Sequence, residues 1–266
     1  MKFKINLIYT IFTVLFSALL VLQPQHASAK KKLRKVIIDA GHGGRDPGCH
    51  GVYSYEKDIT LAVAKKVGKM ISDSLAEVKV AYTREYDWYP ELKERTAFAN
   101  QQKGDLFISI HVNSTPKRNS PVRGTLVLVC GPTRVGEKEN AIGEHAENFE
   151  GSDDLLDPND PMTPIIIAQY SQAFLTQSIV LGTRMNDEFA HQGRYTEGLR
   201  QQSLQVLASS AMPGVLVEIG YLNNNEEESY LNSEQGQNEV ALSIFKAIKF
   251  YKEESEKEPV RILGEN

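Results

Sequence analysis

Six short apolar runs, most of them rich in β-branched residues, constrain this chain more than any other feature. They are Val36–Asp39, Val78–Tyr82, Leu106–His111, Thr125–Cys130, Gln205–Ala208 and Gly214–Ile219. Helical patterns fall between several of them, and that alternation predicts an α/β sandwich with a mainly parallel or mixed sheet. The clearest helix runs from Glu56 to about Ala76, where Ile59, Val63, Val67, Met70 and Ser74 follow the spacing of one face. Further helices are expected over Ile165–Phe189 and Gln237–Tyr251, the second with Val240, Ile244, Ile248 and Tyr251 on one side. Between 131 and 164 the pattern breaks into an acidic stretch punctuated by proline and glycine, which reads as an insertion with one short helix around Lys138–Phe149. No internal repeat is present.

The two ends of the chain stand apart from this pattern. Lys2 and Lys4 precede an apolar run from Leu7 to Leu22, and Ala27-Ser28-Ala29 has the small-x-small form of a signal-peptidase site. Residues 1–29 are therefore expected to be a signal peptide, although an uncleaved anchor fits the same residues. Export, no stable membrane span after cleavage, a domain over 30–254 and a solvated tail over 255–266 follow as expectations. Losing Lys2 and Lys4 moves the formal charge from −4 to −6, so no basic excess remains to release counterions from phosphates and no nucleic-acid partner is expected. Only Cys49 and Cys130 are present, too few for a disulfide-dense scaffold or a cysteine zinc cluster; one bridge or two thiols remain open.

His42 lies just past the first predicted strand in the glycine-rich "IIDAGHGGRDPG", and His111 ends "LFISIH". Ligands in open α/β sheets gather beyond the carboxyl ends of strands, so the two imidazoles either share a crevice or are separate surface histidines. Glu56 falls in the apolar stripe of its helix and points its carboxylate at the sheet, unless it is simply an acid favoured by the helix start. Glu218 interrupts the apolar "PGVLVEIGYLNN". Two histidines and one carboxylate hold zinc with a position left for water, and a second carboxylate moves protons. There is no HExxH helix, and Cys49 reads as a small packing residue.

In order, "DAGHGGRDPG", "EKDITLAVAKKV", "TREYD", "LKERTAFANQQKGDLFISIHVNS" and "PGVLVEIGYLNNNEE" resemble the zinc-dependent N-acetylmuramoyl-L-alanine amidases of bacterial cell walls, over roughly residues 35–252. The resemblance implies a phosphorylase/hydrolase-like three-layer sandwich, a mixed six-stranded sheet flanked by helices. It implies Zn2+ held by His42, Glu56 and His111, with Glu218 as the catalytic acid and base. The implied partner is peptidoglycan, cut at the amide between N-acetylmuramic acid and L-alanine. Arg84, Arg95 and Asn113 match recurring polar positions and are either substrate contacts or structural. Some amidases are similar in carrying a helix-bearing insert that covers the zinc until an activator displaces it. Here Glu139, Glu144 and Glu147 are candidates to cap the metal, the alternative being a solvated loop. A peptidase acting within the stem peptide and a silent wall-binding protein are the rival readings. With all four chemical positions filled, the enzyme is favoured, and an acidic exported domain leans toward a periplasm.

Overall fold

The structure is a computed structural model and describes residues 32–148, 156–157 and 159–257. The expected signal peptide and residues 258–266 of the expected tail lie outside the described residues. Strands β1 (Lys35–Ala40), β2 (Lys79–Tyr82), β3 (Leu106–Asn113), β4 (Thr125–Cys130), β5 (Thr196–Gln202) and β6 (Gly214–Tyr221) form one sheet in the order β2-β1-β3-β6-β4-β5. β1 is parallel to β2 and β3, and β3 to β6, whereas β4 runs antiparallel to β6 and pairs parallel with β5. The sheet is mixed and six-stranded, as the sequence predicts.

Successive strand side chains point to opposite faces, so the central apolar runs feed two cores. On one face Val36, Ile38, Leu106, Ile108, Val215 and Val217 meet α1 (Glu56–Ser74), α4 (Thr163–His191) and α7 (Glu234–Ser255). On the other, Ile37, Phe107, Leu126, Leu128 and Leu216 meet α2 (Leu92–Gln101) and α5 (Gln205–Ala208). Helices therefore cover both faces, which makes the three layers.

One expected strand is wrong. Gln205–Ala208 is the short helix α5, with Val206 and Leu207 turned into the second core, and a four-residue apolar run carries no period that distinguishes the two states. The sixth strand is instead β5, "TEGLRQQ", whose last three residues are exposed. It is an edge strand, and polar, charged edges resist pairing with other chains. Its lack of apolar alternation hid it.

The reversal of β4 decides where the insertion goes. β4 ends at Cys130 on the edge where β3 and β6 begin, so the chain after it leaves from that amino edge. There α3 (Val135–Glu144) packs on α4 and α5. Its buried Lys138 donates Nζ hydrogen bonds to the carbonyls of Leu207 at 3.0 Å, Ser210 at 2.6 Å and Met212 at 2.6 Å. Burial pushes this ammonium down to about 8. Asn148, at the end of a 3-10 turn, donates from Nδ2 to Asn100 O at 3.0 Å, near the end of α2.

Candidate active site

At the opposite, carboxyl edge, β1 runs into the turn that carries His42. Gly41 N donates to Ile110 O at 3.0 Å, holding the start of the turn against β3. A Cβ on Gly41 would lie 2.4 Å from the His111 ring, so a glycine is needed for that imidazole to sit where it does. His42 itself has a φ of 59°, a left-handed conformation uncommon for residues other than glycine. Such strain persists only where neighbours hold it.

Two buried arginines do the holding. Arg84 donates from Nε to Ala40 O at 2.9 Å and from Nη2 to Gly41 O at 2.8 Å and Lys57 O at 2.7 Å. Arg95 donates from Nη1 to Ala40 O at 2.7 Å, from Nη2 to His42 O at 2.6 Å and from Nε to Pro90 O at 3.0 Å, and pairs with Asp39 at 2.7 Å. Of the two readings the sequence left open for them, substrate contact or structural role, the geometry here describes the second: both guanidiniums are buried and donate to the turn. Asn113, partly exposed at the end of β3, is not engaged in this way.

Asp39 is fully buried, and burial alone would raise its pKa, but Arg95 and hydrogen bonds from Ser109 and Thr83 hold it below the ordinary aspartate value. The stability it contributes is therefore complete above the unfolded pKa and lost as pH falls through the lower folded one. We expect Asp39→Asn to flatten the decline of stability below about pH 4, measured by urea unfolding across an acid series. An unchanged acid limb would count against the assignment.

His42, Glu56 and His111 converge, with one ligand atom from each lying within 4.8 Å of the others. Glu56 Oε1 lies 3.2 Å from His42 Nε2 and 2.9 Å from His111 Nδ1. The inward carboxylate expected from the helix stripe is observed, because Glu56 opens α1 and is buried. Its oxygens also accept from Cys49 N and Val112 N, both at 2.9 Å. Burial opposes its charge, yet the two imidazoles hold its carboxyl well below the usual range. Burial likewise opposes charge on His42, but the Glu56 and Asp46 carboxylates push it up to about 8.

Asp46 was missed by sequence reasoning. It lies 2.8 Å from His42 Nδ1 and so turns Nε2 toward the cluster, the arrangement by which carboxylates orient histidine ligands. Its place four residues after His42 in the same turn was the available signal. Cys49 is a free thiol, as is Cys130, and donates to Val112 O at 3.1 Å. Burial and the neighbouring Glu56 push its pKa up, which suits packing rather than attack.

Glu218 joins the group through strand register. β6 pairs with β3 so that Glu218 stands beside His111. Its Oε2 is shielded from solvent and has no hydrogen-bond partner. Burial, with Glu56 adding to it, pushes the carboxyl up to about 7 against the pull of His111 and His42. A carboxyl poised near neutrality can take up and release a proton.

Glu139, Glu144 and Glu147 do not reach this cluster. Glu139 lines a cavity with Gly214, where β6 begins, Glu144 ends α3, and Glu147 lies in the 3-10 turn whose Asn148 bonds to Asn100 of α2. β4's reversal puts these three positions at the far, amino edge of the sheet.

Residues 36–250 match the family model described as N-acetylmuramoyl-L-alanine amidase. The chain is 31% identical over 229 residues to a probable N-acetylmuramoyl-L-alanine amidase AmiB of Haemophilus influenzae, covering 80% of this chain and 51% of that protein. It is 29% identical over 220 residues to the N-acetylmuramoyl-L-alanine amidase AmiC of Escherichia coli, covering 81% and 52%. It thus spans about half the length of these curated relatives. Among solved structures it is similar to the catalytic domain of CwlV, an N-acetylmuramoyl-L-alanine amidase from Bacillus (Paenibacillus) polymyxa. That match has 28% identity and a TM-score of 0.57, over 83% of this chain and 98% of the other.

Proposed function

This chain belongs to the N-acetylmuramoyl-L-alanine amidase family, and from that membership we propose that it hydrolyses the amide joining N-acetylmuramic acid to L-alanine in peptidoglycan. The observation that carries the reading is the convergence of His42, Glu56 and His111 beside an unpartnered Glu218 oxygen. Two imidazoles and one carboxylate suit zinc, and Asp46 behind His42 supplies the outer support such sites use. The donor set and the orphaned Glu218 oxygen therefore fit a zinc ion held by His42, Glu56 and His111. When bound, zinc supplies Lewis-acid polarisation of the scissile carbonyl and lowers the pKa of water.

The chain's own residues supply proton transfer. Glu218 Oε2 accepts one proton of the attacking water as the C–O bond forms and returns it to the departing L-alanine amine as the C–N bond breaks, while the second water proton stays on the new carboxyl group and leaves when that group ionises. Asn113, at the rim beside His111, is a candidate contact for the substrate. Residues 1–29 act in this reading as an export signal, 30–254 as one catalytic domain carrying the 131–164 insertion, and the periplasm as the working compartment. With the three insertion glutamates on the far edge, this reading does not require an activator to lift them from the metal.

Digestion of purified peptidoglycan by the zinc-loaded protein tests this. New L-alanine amines on intact glycan strands are expected. Chelation should abolish their release, and added zinc should restore it. Glu56→Ala should lose bound zinc by elemental analysis. New termini inside the stem peptide would make the protein a peptidase instead.

A further inference from the structure

The hairpin between β1 and α1 is fixed from a distant part of the chain. His50 and Tyr55 pair as an antiparallel bridge, and Gly51 N donates to Ser54 O at 3.0 Å. The buried carboxylate of Glu228, on α6 (Asn225–Asn232), accepts from Val52 N at 2.8 Å, Tyr53 N at 2.9 Å, Ser54 N at 3.0 Å and Ser54 Oγ at 2.8 Å. A Cβ on Gly51 would fall 2.2 Å from that carboxylate, so the close approach needs glycine. Charge-assisted bonds of this kind are strong and hold the backbone of the tip in place.

The side chains on that backbone face water. Val52 is 72% exposed, Tyr53 63% and Tyr55 49%. Ordering a loop lowers chain entropy, and here the ordered loop buries little of its own apolar surface in return. The tip therefore presents one aliphatic and two aromatic side chains to solvent on a fixed backbone. Two further observations say what it meets. Tyr55 directly precedes Glu56, so the tip is continuous with the cluster, and His50 to Tyr55 carry no carboxylate, ammonium or guanidinium.

We propose that Tyr53 and Tyr55 form a platform for the glycan strand of the substrate, a proposal that rests on the amidase reading. Flat rings with a hydroxyl at one end suit the uncharged faces and hydroxyls of sugars. A stem peptide, with its carboxylates and amines, would instead be met by charged partners. The platform adds affinity for polymeric over monomeric substrate and leaves the chemistry to the cluster.

The test uses the full chain and two probes: glycan strands stripped of their stem peptides, and monomeric N-acetylmuramoyl-peptide. Wild type is expected to bind the stripped strands in a sedimentation assay. Combined Tyr53→Ala and Tyr55→Ala substitution should weaken that binding by about 10- to 100-fold, the scale of one or two aromatic anchors. The ratio of kcat/KM on polymer to that on monomer should fall with it, and Tyr53→Trp should retain binding. Should the double variant fail to fold, Tyr53→Ser and Tyr55→Ser are read singly in the same way. Binding that survives the substitutions, or a wild type that ignores stripped strands, overturns the platform. Binding through the tyrosines without release of L-alanine amines would leave the platform standing and remove the amidase reading.

Discussion

Replacing Glu218 by glutamine is expected, on the amidase reading, to lower turnover on peptidoglycan by about 10²- to 10⁴-fold, the range that a positioned acid and base contributes. The substitution keeps shape and removes only the ability to accept a proton. Two further measurements separate this from trivial loss. Zinc content should stay as in wild type, because the carboxylate and imidazoles of Glu56, His42 and His111 are untouched. Thermal stability should stay level or rise, because Glu218 Oε2 is shielded and unpartnered, so its charge is a burden to the folded state. A variant that turns over near the wild-type rate would remove Glu218 from the reaction.

The largest expected effect on folding belongs to Arg95. Arg95→Ala should reduce unfolding free energy by about 3–5 kcal/mol, as breaking a buried ion pair from one side does. The substitution leaves Asp39 charged and buried, and it strips donors from the carbonyls of Pro90, Ala40 and His42. Lysine should not rescue it, because one ammonium cannot reproduce the fork that spans those acceptors. An internal control is at hand in Arg45 and Glu91, exposed and 3.4 Å apart, where alanine at position 45 should cost about 0–1 kcal/mol. Urea unfolding of both variants reads the difference. Similar small losses at the two sites would mean that Arg95 does not anchor the turn.

The parts of this molecule that sequence reveals are those written in a local period. The central strands are legible because burial on both faces makes each a short apolar block, and α1 because its stripe repeats every three or four residues. Glu56, Glu218 and the two histidines were visible because each breaks such a block or follows it, where an ionisable group needs a reason. β5 was not visible, since an edge strand has little apolar face to display. Arg84 and Arg95 were read ambiguously because their acceptors are backbone carbonyls, which leave no mark on composition. Glu228 escaped notice because its partners lie more than 170 residues away along the chain. The position of the insertion depended on one strand's direction, which an apolar run does not encode.

That direction has a practical consequence. On the amidase reading the substrate is a polymer far larger than the protein, so the His42, Glu56 and His111 cluster must be offered to a surface rather than reached by a small molecule in solution. Glu137, exposed on α3, sits at the end of the sheet remote from that cluster. A tether attached there, for example through Glu137→Cys, would leave every molecule with its working edge outward, as a brush presents its bristles and keeps its handle behind.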